Sequence, residues 1–177
     1  MKKIALLFFV SILCASGCGY STRTVSPSME GIKTIYVEPF KNNVDYGTER
    51  GEKNLYIPMM EVKVTEGVIN RFITDGLLKI SKPEESDIIL KGALLNYRRD
   101  GLRFDDDDNA EEYRITILVS LQLINARTNE VLWTESSFGG EATYFLTGPQ
   151  ATPENDAIDK AVKDLAQRII ERTVEDW

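Results

Sequence analysis

The sequence predicts an α+β fold, an α/β sandwich with two helices packed on one face of a roughly four-stranded mixed sheet. Three observations lead there. Residues 114–125 alternate apolar and polar positions over the length of a strand. Two other stretches, 58–78 and 152–174, repeat their apolar residues at helical spacing instead. The segments follow in the order β-α-β-β-β-α, which places both helices in one layer over the sheet.

The first strand is Ile32-Lys33-Thr34-Ile35-Tyr36-Val37, closed by Pro39. The segment Lys41 to Tyr56 is polar, with Asn42-Asn43 and two glycines, and reads as a long loop. From Pro58 to about Leu78, Val62, Ile69, Phe72, Ile73 and Leu77 recur at helical spacing. Pro58 suits an N-terminal helical position, whereas Gly67 and Gly76 weaken the helix. Lys82-Pro83-Glu84-Glu85-Ser86 is a turn. Asp87 to Arg99, with Ile88-Ile89-Leu90 and Ala93-Leu94-Leu95, is apolar on both faces and so predicts a central strand.

Arg114 to Asn125 sends Ile115, Ile117, Val119, Leu121 and Leu123 to one face. Ala126 to Glu130 turns the chain, and Val131-Leu132-Trp133-Thr134-Glu135 returns it as a hairpin. Period-two counting sets Trp133 beside Val131 in the core and Phe138 on the opposite face. Gly139-Gly140 and Gly148-Pro149 indicate that a loop resumes after Phe138. Thr152 as N-cap, Pro153 at the first position and acids Glu154 and Asp156 then open the second helix. Its buried stripe is Ile158, Ala161, Val162, Leu165 and Ile169, and Arg168 and Arg172 suit the C-terminal end of the helix dipole.

The N-terminus is an address. Met1-Lys2-Lys3, the apolar run Ile4 to Leu13 and the small residues Ala15-Ser16-Gly17 form the three parts of a secretory signal. The run falls short of the ~20 residues a transmembrane helix needs. Cys18 directly after the small residues is the lipobox cysteine of a bacterial lipoprotein, expected to be acylated as the mature N-terminus. Ala15 stands where Leu is commonest, and Cys14 is the poorer candidate because Ile12 and Leu13 precede it. Each buried methylene contributes ~0.8 kcal/mol, so several acyl chains make a durable anchor. Gly19 is not the Asp that retains many enterobacterial lipoproteins in the inner membrane, which favours an outer-membrane address. Residues 1–17 are thus a signal peptide, 18–31 a lipidated tether rich in Ser, Thr, Gly and Pro, and 32–177 one domain.

Composition narrows the function. Removing residues 1–17 leaves 160 residues and takes away only Lys2 and Lys3, so the net charge falls from −7 to −9. An acidic body lacks the positive footprint that nucleic acid requires. The chain has no His, and Cys14 and Cys18 are its two cysteines, so the mature body holds no disulfide and no Cys/His metal site. Ser-His-Asp and Cys-His catalysis are excluded. A binding or assembly role, without cofactor or metal, is the expectation.

The order of features resembles the LPS-assembly lipoprotein family, LptE. The residues that carry the resemblance are Cys18-Gly19-Tyr20, the strand Ile35-Tyr36-Val37-Glu38-Pro39-Phe40 followed by Asn42, and Leu90-Lys91-Gly92. To these add the return strand Asn129-Glu130-Val131-Leu132-Trp133 and the closing helix Ala157 to Val174 with Asp164-Leu165-Ala166. The resemblance implies an outer-membrane lipoprotein that plugs the LptD β-barrel, helps it assemble and supports delivery of lipopolysaccharide to the cell surface. The implied partners are an LptD-type barrel, lipopolysaccharide and, through the lipid, the membrane. A periplasm-facing lipoprotein that scaffolds or regulates another envelope enzyme is the competing reading.

Three arginines stand out in an acidic chain. Arg98, Arg99 and Arg103 are candidate contacts for lipid A phosphates or for acidic groups of the barrel, because guanidinium pairs bidentately with such oxyanions. The plainer reading, that they neutralise the neighbouring Asp105-Asp106-Asp107-Asp108, is the favoured one. That acidic run lacks the spacing of a calcium loop and reads as a solvated, mobile loop. Phe138, Tyr144 and Phe145 are expected either to face the barrel or to pack the loop after them.

Overall fold

The computed structural model describes residues 31–45 and 57–174, so Cys18 and the expected signal and tether up to Glu30 lie outside the described residues. Strand β5 (Ala110–Asn125) lies between β4 (Ile88–Phe104) and β6 (Val131–Phe145), antiparallel to both. On its far side β4 takes β1 (Thr34–Val37) and β2 (Lys41–Asn42) as parallel neighbours, and β3 (Lys79–Ile80) pairs parallel with β1. The sheet order is β3-β1-β4-β5-β6, with β2 also on β4. Helices α1 (Met60–Asp75) and α2 (Glu154–Val174) complete the expected α+β class. β2 and β3, two residues each, are additions to the expected four strands.

The odd residues Ile115, Ile117, Val119, Leu121 and Leu123 of β5 are all buried, as the alternation requires. Register partners extend this row across the sheet through Leu90, Leu94 and Tyr97 of β4, and Ile88, Ile35 and Val37 continue it. Against it pack Ile158, Ala161, Val162, Leu165 and Ile169, the stripe expected for α2, and every one is buried. α2 starts at Glu154, one residue later than expected. The opposite face of the sheet is mixed: Lys91, Arg98, Asp100, Arg114 and Glu141 have side chains 42–48% exposed, and Ile89, Leu118, Ile124 and Val131 share that face with them.

The buried face of α1 differs from the expected one. Met60, Val64, Val68 and Phe72 are buried, whereas Val62 and Ile73 are 38% and 62% exposed, and Ile69 and Leu77 are only partly buried. The helix carries apolar residues on two flanks, and a hydrogen bond decides between them. Thr65 lies on the inner flank, where its hydroxyl accepts the buried Phe40 amide at 3.0 Å and donates to the Glu61 carbonyl at 2.7 Å. Turned the other way, α1 would leave that amide unsatisfied in the core. Gly76 (φ 73°) ends the helix, its amide donating to the Phe72 carbonyl at 3.0 Å. Gly67 sits where α1 meets Val162 of α2, within a distance that leaves no room for a Cβ.

β6 also runs seven residues further than expected, straight through Gly139-Gly140 to Phe145. The glycines mark close approach, not a turn. A Cβ on Gly140 would stand 2.5 Å from the Leu165 Cβ and backbone nitrogen and 2.6 Å from the Ala161 carbonyl oxygen. α2 therefore lies directly on the strand backbone, and its Asp164 carboxylate accepts the Glu141 amide at 3.0 Å. Parity in β6 fails for a related reason. Val119 pairs with Phe138 and Leu121 with Glu135, so β6 holds one extra residue there. A second extra residue separates Trp133, opposite Leu123, from Val131, opposite Ile124. Trp133 and Phe138 consequently share the helix-covered face, both partly buried against the core, and exposed Val131 faces away.

At the end where β1 begins, Asp87 ties its own segment to the start of β1 and to the turn that holds Arg127. Its carboxylate accepts the Lys33 and Thr34 amides at 3.0 and 3.1 Å, the Thr34 hydroxyl at 2.9 Å and Arg127 at 2.7 Å. These donors, the Lys33 amide foremost and then Thr34 and Arg127, outweigh burial and hold the Asp87 carboxyl below the usual carboxylate range. The seat of α2 yields a direct test. Gly140→Ala should destabilise the domain by about 1–3 kcal/mol, the cost of forcing extra volume into a packed contact. Urea unfolding measures this, and an unchanged midpoint would contradict the close approach of α2 to β6.

Candidate functional site

β4 and β5 extend beyond the limits expected for them and meet in a hairpin whose connection is residues 105–109. The acidic segment, expected as a solvated, mobile loop, is solvent-exposed and closes as a hydrogen-bonded turn. The Asp105 carboxylate accepts the Asp107 and Asn109 amides at 2.9 and 2.8 Å and the Asn109 side-chain amide at 3.1 Å. The Asp105 amide closes the turn on the Asn109 carbonyl at 2.9 Å, with Asp108 at φ 61°. The Asn109 side chain and amide, with the Asp107 amide, hold the Asp105 carboxyl below the usual range. Among the described residues no three His, Cys, Asp or Glu side chains converge as a metal-binding group.

The three arginines do not form one cluster. Arg98 pairs in register with Thr116 and lies on the open face, with its Nε 2.9 Å from Asp100 Oδ2. Arg99 pairs with Ile115 and lies on the helix-covered face, 2.7 Å from Glu154 Oε2. A register shift between Gly101 and Arg103 brings Arg103 opposite Glu112, back on the open face. There its Nε stands 4.0 Å from Glu112 Oε2 and its guanidinium 5.7 Å from the Phe145 ring centroid. Their ion pairs are with Asp100, Glu154 and Glu112, and not, as expected, with Asp105 to Asp108. Strand parity separates Arg98 from Arg99, and the turn has already committed Asp105 to its own backbone.

Arg99 belongs to a polar clamp that sequence reasoning missed. Glu154, in the first turn of α2, accepts the Tyr97 hydroxyl at 2.8 Å, the Tyr144 hydroxyl at 3.2 Å and Arg99 at 2.7 Å. The Arg99 guanidinium lies 4.8 Å from the Tyr113 ring centroid, and the Tyr113 and Tyr144 rings stack at 5.8 Å. Burial, and then the Glu154 carboxylate, push the Tyr97 hydroxyl far above the usual tyrosine range and raise the Tyr144 hydroxyl as well. A single carboxylate thus fastens the start of α2 to β4 and β6. The signal available was Tyr97 on the row of Leu90 and Leu94, a polar end on a core position needing a partner. The bulge between Leu94 and Asn96 breaks that row's spacing and hides it.

The aromatic residues of β6 separate in the same way. Tyr144 is buried in the clamp, Phe138 packs on the core, and Phe145 lies on the open face under Arg103. At the other end Arg172 stacks 5.1 Å from the Trp133 ring centroid and bonds Glu135 at 2.8 Å. No helix among the described residues is long and apolar enough to cross a membrane. The arrangement presents an acidic, structurally braced surface.

The comparisons with known proteins bear on family and fold. A family model described as LptE, lipopolysaccharide-assembly, matches residues 32–173. No curated protein matches the chain. Among solved structures, a lipoprotein B from Nitrosomonas europaea is similar at 15% identity with TM-score 0.54, over 81% of this chain and 83% of that one. A DUF330 protein from Xanthomonas campestris aligns at 14% identity and TM-score 0.55, over 85% of this chain and 89% of that one. A hypothetical protein from Chlamydia trachomatis does so at 13% and 0.50, over 80% and 95%. At these identities the likeness is one of fold.

The clamp makes its own prediction. Glu154→Gln removes the charge and half of the acceptor capacity that three donors share. Stability should fall by about 1–3 kcal/mol, the cost of leaving a buried donor unsatisfied. Thermal unfolding of the variant measures it; a melting temperature equal to the parent's would show that the clamp contributes nothing.

Proposed function

The chain belongs to the LptE lipopolysaccharide-assembly family, and from that membership we propose that it is an outer-membrane lipoprotein that plugs an LptD-type β-barrel. In this reading Cys18 carries the lipid, and the folded domain occupies the barrel lumen, helps the barrel assemble and supports lipopolysaccharide insertion at the cell surface. The family match over residues 32–173 carries the proposal. The character of the open sheet face supports it. Large barrel lumens are polar, and a face with Arg98, Asp100, Arg114 and Glu141 offers paired charges to such a wall. The absence of histidine fits a protein that works by contact.

Of the three candidate contacts for lipopolysaccharide or barrel, Arg98 and Arg103 keep their guanidinium groups on the open face, while Arg99 is engaged by Glu154. We therefore assign Arg98 and Arg103 the phosphate or barrel contact and Arg99 a structural share. Replacing Arg98 and Arg103 together by Gln should weaken lipopolysaccharide binding by about tenfold at unchanged melting temperature, since rim charges act on encounter more than on folding. Arg99→Gln should do the reverse. Unchanged affinity in the double variant ends the assignment.

Affinity purification of the lipidated protein from membranes tests the main proposal. A stoichiometric large β-barrel is the expected companion, and Cys18→Ser should release the protein from the membrane fraction. Recovery of a peptidoglycan synthase or a soluble protein in its place would overturn the plug reading.

A further inference from the structure

The tip of the β4–β5 hairpin and the end of β6 carry three large apolar side chains that the fold leaves in solvent. Leu102, Phe104 and Leu146 are 41%, 55% and 47% exposed, and every residue from Leu102 to Asn109 is exposed. The pairing brings them to one end of the molecule. Phe104 lies opposite Ala110, and the Leu146 amide donates to the Glu111 carbonyl at 2.9 Å, beside the same turn. The patch is held in shape. The Phe104 ring lies so close to Gly101 that a Cβ there would stand 2.6 Å from it. The Asp105 bonds fix the turn that joins the strands. Exposed apolar residues gathered at one place mark an interaction surface, and a preset aromatic loses little entropy on docking.

Charge identifies the occupant. Residues 101–113 hold six carboxylates, Asp105 to Asp108 with Glu111 and Glu112, and one guanidinium, Arg103. Arg103 already faces Glu112 and Phe145. Anionic lipid or a phosphorylated headgroup, whose contact with Arg98 and Arg103 is assigned to the open sheet face behind the turn, would meet like charge at the Asp105 to Asp108 turn itself. A second copy of the chain, tip to tip, would do the same. A protein surface with an apolar hollow rimmed by lysine or arginine meets both demands. We propose that this tip docks the protein on such a basic-rimmed apolar hollow of a partner polypeptide. The surface stands on its own geometry, and only the naming of the partner as the barrel rests on the plug reading.

Photocrosslinking in the native membrane tests it, with a benzoyl-phenylalanine replacing Phe104 in the full lipidated chain. Light should join position 104 to one polypeptide, through a peptide that carries Lys or Arg beside apolar residues. Asp106→Lys, Asp107→Lys and Asp108→Lys together, which spare the capping Asp105, should cut the yield by about tenfold, because like charges then face each other. A crosslinker at position 82, at the far end of the molecule, should be unaffected by those changes, which also serves as the folding control. Adducts to phospholipid or lipopolysaccharide, adducts to a second copy, no adduct, or a yield indifferent to charge reversal would each overturn the proposal. A charge-dependent adduct through a basic peptide of a polypeptide that is not a β-barrel would uphold the surface and remove the plug reading. A barrel that co-purifies but never joins position 104 would uphold the plug and remove the docking surface.

Discussion

The apolar row along β5 is the constraint on which the rest of the structure depends. Ile115, Ile117, Val119, Leu121 and Leu123 are buried in unbroken alternation. From Glu112 to Asn125 this strand adds no extra residue, so its neighbours must adapt to it. β4 takes extra residues between Leu94 and Asn96 and between Gly101 and Arg103; β6 takes them between Glu135 and Phe138 and between Val131 and Trp133. The extra residues after Leu94 and before Phe138 set Tyr97 and Phe138 on the face that the β5 row has committed to the core, and the other two set Arg103 and Val131 on the open face. The helices follow. α2 can lie against this row only because Gly140, opposite Ile117, brings no side chain between helix and strand.

That dependence explains which parts of the fold were legible in the sequence. The β5 alternation and the α2 stripe were read correctly residue by residue, because each element has one apolar face and period alone fixes it. α1 has two apolar flanks, so period left a choice that the Thr65–Phe40 hydrogen bond makes, and that bond spans 25 positions. Trp133 and Phe138 were placed on opposite faces by counting in twos, and a bulge invisible in the sequence reverses the result. Gly139-Gly140 has the composition of a turn. Its actual reason, a helix backbone at contact distance, exists only after α2 has been placed. Residues short in sequence reach are easy to read, and those fixed by a distant partner are not.

The same limit applies to the candidate site. Three arginines within six positions look like one cationic cluster in a chain otherwise rich in carboxylates. Alternation and one register shift divide them between two faces, and three different carboxylates take them up. The three arginines that the sequence groups are thus Arg99, paired with Glu154 on the helix-covered face, and Arg98 and Arg103 on a mixed-charge open face. The clamp around Glu154 was illegible for the opposite reason. Its members, Tyr97, Arg99, Tyr144 and Glu154, are spread over 58 positions, and no spacing rule joins them.

The position of the clamp divides the sheet into two regimes. Behind it, toward Asp87, the strands have helices above them and are stabilised by apolar burial. Ahead of it the β4–β5 hairpin runs beyond the start of α2, and its residues from Leu102 to Asn109 lie in solvent. A ribbon without a core above it holds together only through local contacts. Here those are the Arg99–Tyr113–Tyr144 stack, the Phe104 ring on Gly101 and the Asp105 turn. Glu154 sits at the boundary and transmits the rigidity of α2 into the first of these contacts. A protein that needed only to fold could have ended the hairpin at the clamp. Extending it past the core, bracing it and leaving apolar side chains at its end costs stability that contact with another surface would restore.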